Sequence, residues 1–123
     1  MIGNSIVLDT NIVLYLLNGD DELASILNQM QLYVSVITEI ELLGYLEISD
    51  EDKVKIKYFL SECIIVPLNE EIKNLCITIK QTSKVKTPDA IVAATSIYNQ
   101  IPLITSDKGF EKIQDLDLFL YKV

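Results

Sequence analysis

The feature that most restricts the fold is an alternation of short apolar runs with stretches whose apolar residues recur at helical spacing. Residues 6–8 (IVL), 32–35 (LYVS), 64–66 (IIV), 102–105 (PLIT) and 118–121 (LFLY) read as strands. Helical patterns fill the gaps. One covers 11–18 and stops at Gly19, and the next covers 20–31 with apolar residues at 23, 26, 27 and 30. Residues 36–46 place Ile37, Ile40, Leu43 and Gly44 on one stripe, and Ser49 with Asp52 opens a helix to about Cys63. Asn69 starts a helix to about Thr82, and Lys108–Gln114 is a short one. Thr87-Pro88 is a strong start signal, with Thr87 as N-cap and Pro88 in the first helical position of a helix to about Asn99. Strands alternating with helices predict an α/β fold, a parallel sheet covered on both faces. Ala90, Ala93 and Ala94 would let the helix after Pro88 lie close to that sheet.

The reading is of one domain over residues 1–123, half hydrophobic, with glycine and proline together only seven. The longest apolar run, Ile12–Leu17, is six residues, too short for a membrane helix, and MIGNS lacks the basic start of a signal sequence. Cytoplasmic location with no membrane partner is the expectation. Cys63 and Cys76 stand thirteen apart in a chain without histidine. That excludes Cys/His zinc sites, histidine acid–base chemistry and a Ser-His-Asp triad, and leaves two buried, reduced thiols. The net charge is −8, and all ten positive charges are lysines. Such a chain is a poor general binder of nucleic acid, whose phosphates are held mainly by Lys and Arg. A nucleic-acid enzyme with this balance would need bound cations and lysines gathered at its site; solubility is the simpler account of the charge.

Asp9 breaks the apolar segment SIVLDTNIVLYLL and ends the first strand. In a parallel sheet, right-handed crossovers bring every strand end and following helix start to one edge. Asp107 follows the fourth strand, Asp89 lies in the first turn of the helix after Thr87, and Glu41 lies about a turn and a half into the helix after the second strand. Each has a structural explanation. Asp89 suits a helix dipole, Asp107 can cap the next helix, Asp9 can form a turn with Asn11, and Glu41 can be solvated. Together on one edge they repel, and a proton or cation must relieve them. An all-oxygen set suits Mg²⁺ or Mn²⁺, which can activate water against a phosphodiester.

Four segments carry a resemblance: VLDTN (7–11), SVITEIEL (35–42), KTPDAIVAAT (86–95) and PLITSDKGF (102–110). In order and spacing they are similar to the motifs of PIN-domain ribonucleases, above all the small VapC-type toxins of bacterial toxin–antitoxin pairs. The resemblance spans nearly the whole chain. It implies a five-stranded parallel sheet and a Mg²⁺- or Mn²⁺-dependent endoribonuclease site. Carried over by residue, it makes Asp9, Glu41, Asp89 and Asp107 the acidic cluster, with Asp9 and Asp89 on the metal and Asn11 and Thr105 in support. Both Glu39 and Glu41 flank the apolar stripe; the pattern S-x-x-T-x-x-E-L, met by Ser35, Thr38, Glu41 and Leu42, selects Glu41. An RNA substrate, a homodimer and a cognate antitoxin are implied as partners. Residues 11–31 and the Asn69–Thr82 helix are the candidate dimer surface.

The chain departs from the family pattern in lacking arginine. Lys84, Lys86 and Lys108 are the candidate RNA-binding residues, with Lys112 a turn beyond, and ordinary solvated surface is the alternative. Two rival functions remain. One is a catalytically idle PIN fold serving as an interaction module or as part of a DNA-binding complex; retention of all four acids weighs against it. The other is a phosphatase-like fold with Asp9 as nucleophile, which typically wants an acid where this chain has Asn11.

Overall fold

The computed structural model describes residues 4–122. Five strands, β1 (Ser5–Leu8), β2 (Gln31–Ser35), β3 (Ile64–Val66), β4 (Leu103–Thr105) and β5 (Leu118–Leu120), form one sheet in the order β3-β2-β1-β4-β5. Every neighbouring pair is parallel, with Ile6 opposite Leu32 and Leu8 opposite Ile104. The helices are α1 (Thr10–Leu17), α2 (Asp21–Leu27), α3 (Val36–Leu43), α4 (Asp50–Ser61), α5 (Glu70–Thr82) and α6 (Thr87–Asn99), with a 3-10 helix at Lys108–Lys112. The strand–helix alternation therefore yields the expected fold. Among the described residues, no helix is long and apolar enough to cross a membrane.

The pleat of β1 shows how both faces are covered. Ile6 and Leu8 enter one hydrophobic cluster with Ile12, Leu23, Leu42 and Leu60, from α1 to α4. Val7 enters the other with Ile72, Ile79, Ala93 and Phe110, from α5, α6 and the 3-10 helix. Ala90, Ala93 and Ala94 are fully buried, and these small side chains let α6 lie close against its neighbours in the second cluster, α5 among them.

Several helix bounds differ from the sequence reading, for local reasons. The helix expected to reach residue 31 ends at Leu27, because Gln29 turns the chain with φ 66° and Gln31 is already in β2. The helix expected to reach residue 46 ends at Leu43, with Gly44 closing it by donating to the Ile40 carbonyl. Thr87 lies inside α6 and is not its cap. The cap position falls to Lys86, whose carbonyl accepts from Ala90 N at 2.9 Å and so begins the helical ladder. Ser49 does cap α4, accepting from Asp52 N at 3.0 Å. Both cysteines are free thiols; Cys76 is buried, while Cys63 is only half-buried.

Candidate active site

Because all five strands are parallel, the C-terminal ends of β1, β2 and β4 open onto the same edge, the usual place for a ligand in such sheets. Asp9 leaves β1 there and caps α1. Its Oδ1 accepts from Thr10 N at 2.8 Å, and its Oδ2 accepts from Thr105 Oγ1 at 2.7 Å. Asp9 is only 7% exposed. Burial raises its pKa against the pull of the Thr105 and Thr10 donors, and the charges of Asp89 and Glu41 raise it further.

Thr105, fully buried at the end of β4, serves two acids at once. Its hydroxyl donates to Asp9 and accepts from Asp107 N at 3.1 Å, so the β1 and β4 ends are tied through one oxygen. Asp107 folds back over the start of the 3-10 helix and accepts from Gly109 N at 2.8 Å. A Cβ at residue 109 would sit 3.1 Å from the same Asp107 oxygen, so glycine lets this turn close.

Asp89 is the third residue of α6, and no side chain caps that helix. Burial raises its pKa first, then the charges of Asp107 and Glu41, while Lys86 lowers it. Glu41 lies within α3 and accepts from Thr10 Oγ1 at 2.7 Å. Thr10 is the residue that sequence reasoning passed over. Its backbone N–H serves Asp9, its hydroxyl serves Glu41, and Thr38 Oγ1 lies 3.2 Å from that hydroxyl. Its place next to Asp9 was the only available signal. Glu39 has no matching contact among the described residues.

The four acids thus share one edge and feel one another electrostatically. Among the described residues, however, no three of them converge closely enough to form a metal-ligand group by themselves. This is compatible with a hard cation of the Mg²⁺ type, which usually keeps several waters and takes only one or two carboxylates from the protein. Asn11 adds to the fit: its Oδ1 is buried without a hydrogen-bond partner among the described residues, an acceptor that a bound water would satisfy.

The lysines are unevenly placed. Lys84, Lys86 and Lys112 line the same cleft as Asp89 and Asp107. Lys80 joins Lys84, Lys86 and Lys112 around an adjoining hollow. Two ammonium groups brace this region: Lys80 Nζ donates to the Val85 carbonyl at 3.0 Å, and Lys112 Nζ to the Lys84 carbonyl at 2.9 Å. Lys108 is turned away from the acidic cleft and lines a neighbouring one.

A parallel α/β sheet with carboxylates gathered at the ends of its strands defines the class of molecule. Residues 6–116 match the PIN-domain family, and the chain belongs to it. No curated protein matches the chain by sequence. Among solved structures, a chain of VapBC2 from Rickettsia felis, bound to a DNA fragment from its promoter, is 20% identical with a TM-score of 0.86, over 96% of this chain and 99% of that one. A chain of a toxin–antitoxin complex from Klebsiella pneumoniae is 25% identical with a TM-score of 0.83 over the same shares. A chain of VapBC-1 from nontypeable Haemophilus influenzae is 24% identical with a TM-score of 0.82, over 94% and 97%.

Proposed function

We propose that this protein is a metal-dependent endoribonuclease, the toxin of a toxin–antitoxin pair, with Asp9, Glu41, Asp89 and Asp107 as its acidic site. The observation that carries the reading is the crowding of opposite charges: in a chain of net charge −8, Lys84, Lys86 and Lys112 share a cleft with Asp89 and Asp107. An acidic surface kept merely for solubility has no need of that arrangement. A phosphodiester strand does, because its phosphates need cationic contacts next to the groups that cut it.

A bound Mg²⁺ or Mn²⁺ supplies an activated water and neutralises charge developing on the phosphate oxygens. Asp9 and Asp89 would hold it. Asp9 is suited because its two protein donors fix the carboxylate's orientation, and Asp89 because it carries no cap bond that would compete. Glu41 and Asp107 would add further carboxylate oxygens beside the ion, each steadied by one protein donor. Thr105 and Thr10 hold the carboxylates of Asp9 and Glu41 in place, while Asn11 keeps a buried acceptor that is free among the described residues. Lys84, Lys86 and Lys112 receive phosphate oxygens of the strand. Hydrolysis adds water across the phosphorus–oxygen bond, leaving one product end with the phosphate and the other with a hydroxyl.

The toxin–antitoxin complexes among the structural relatives support a cognate antitoxin as partner. Val54 and Tyr58, one turn apart on α4 and 70% and 72% exposed, give an apolar surface on which a protein partner can rest. The idle-scaffold reading and the nuclease reading separate in one experiment. Purified protein, stripped with chelator, is incubated with RNA before and after addition of Mg²⁺ or Mn²⁺, beside Asp9→Asn and Asp89→Asn variants. Cleavage is expected only with added metal and only in the unmodified protein. Losing a metal ligand costs about 3–5 kcal/mol of transition-state stabilisation, roughly 10²–10⁴-fold in rate. Undiminished cutting after chelation, or by either variant, would end the proposal.

A further inference from the structure

The far side of Asp107 holds a second feature, and what it means rests on the nuclease reading. The segment from Ser106 to Gly109 is a wall between two clefts: Asp107 and Gly109 line the acidic one, while Ser106 and Lys108 line its neighbour. The backbone at Asp107 is extended, with φ −95° and ψ 113°, so successive side chains leave on opposite sides. The neighbouring cleft has a volume of about 460 Å³ and is completed by Tyr15, Leu120, Tyr121 and Lys122. Among the described residues, no carboxylate lines it, although Asp20 stands behind Tyr121. The hydroxyls of its tyrosines are already matched, since Tyr15 Oη lies 3.1 Å from Ser106 Oγ and Tyr121 Oη donates to both Asp20 oxygens. Its remaining polar groups are the ammonium ends of Lys108 and Lys122, both exposed.

Six of the ten lysines, 80, 84, 86, 108, 112 and 122, therefore line clefts on the two sides of this wall. We propose that Lys108 and Lys122 form a second phosphate subsite, so that an unpaired RNA strand crosses the wall at Asp107. One phosphate lies among Lys84, Lys86 and Lys112 beside the acids, and the adjoining one lies in the Tyr15 cleft. A strand that enters both clefts must bend sharply over Asp107. Unpaired RNA bends in this way, which makes a short unpaired strand the proper probe.

The test measures binding of a fluorescent oligouridine by anisotropy across a salt series, in the Asp9→Asn background with Mg²⁺ present so that the strand survives. Three double variants are compared: Lys108→Ala with Lys122→Ala, Lys84→Ala with Lys86→Ala, and Lys55→Ala with Lys57→Ala. The last pair lies on α4, which packs beside β3 at the opposite edge of the sheet from β5. Each lost phosphate contact lowers the slope of log affinity against log salt by about 0.7 for a single strand. The Lys108/Lys122 pair is expected to lower it by about 0.7 to 1.4, the Lys84/Lys86 pair similarly, and the Lys55/Lys57 pair not at all. If only Lys84/Lys86 matters, the subsite is refuted and the nuclease reading stands. If neither pair exceeds the Lys55/Lys57 control, the nuclease reading itself fails. Unchanged RNA binding with weakened capture of the antitoxin would assign the Tyr15 cleft to protein and overturn the subsite.

Discussion

Thr105→Val tests the link between the strand ends and the acids with almost no change of shape. The substitution deletes a buried hydroxyl that donates to Asp9 Oδ2 at 2.7 Å and accepts from Asp107 N at 3.1 Å. A hydrogen bond to a charged acceptor contributes about 1.5–3 kcal/mol and an ordinary one about 0.5–1.5 kcal/mol. The variant should therefore lose about 2–4 kcal/mol at neutral pH, a large share of a typical 5–15 kcal/mol. The loss should depend on pH in a definite direction. Burial already raises the Asp9 pKa, and removing the Thr105 donor raises it further. A carboxyl raised in the folded state weakens folding only where the unfolded chain would be ionised. Its penalty is absent below the ordinary carboxylate range and grows as pH rises through the folded value. The deficit against the unmodified protein should be smallest near pH 4 and largest near pH 7, marks set by ordinary carboxylate titration. Urea unfolding at both pH values reads it: with a slope of roughly 1–3 kcal/mol per molar, the midpoint should fall by about 1–2 M at neutral pH. A deficit of equal size at both pH values would show that Thr105 does not support an ionised Asp9.

Divalent metal should reverse the self-repulsion of the acids: at about 100 times its dissociation constant, Mg²⁺ should add about 2.7 kcal/mol to folding. Calorimetry should show a higher Tm with Mg²⁺ for the unmodified protein and a flat response for Asp89→Asn; equal responses would remove Asp89 from the metal. Glu41→Gln should slow RNA cleavage by roughly ten- to a hundredfold and Glu39→Gln should not, because only Glu41 is held by Thr10; equal rates would dissolve the distinction. Ala93→Leu should cost about 1–3 kcal/mol by overfilling the fully buried core around α6, seen as a lower urea midpoint. An unshifted midpoint would mean that α6 has room to spare.

Much of the fold could be read from the chain because two periods alternate in it. IVL, LYVS and IIV have strand length and composition, while 69–82 and 87–99 repeat every three to four residues. That the acids lie along one edge follows from parallel topology, which needs no atomic detail. Local chemistry was harder to read. The Gln29 turn and the cap at Lys86 each depend on a single backbone conformation that several sequences permit. Nor does spacing tell that Thr10 reaches Glu41 thirty-one residues away, or that Lys108 and Asp107 face different clefts. Those facts depend on how neighbouring elements pack, and the sequence specifies packing only collectively.

The sheet also acts as a partition. The cluster built on Ile6, Leu8 and Leu60 and the cluster built on Val7, Ile79 and Ala93 lie on its two sides, and β1 is shared by alternate residues. Substitutions more than about 7–10 Å apart with no common neighbours usually combine additively. A change at Leu60 and a change at Ile79 should thus behave as independent events. The face of α4 that carries Val54 and Tyr58 can then diversify without disturbing the opposite layer that seats α6 and Asp89. By contrast α3, which carries Glu41 and packs on α4, has no such insulation.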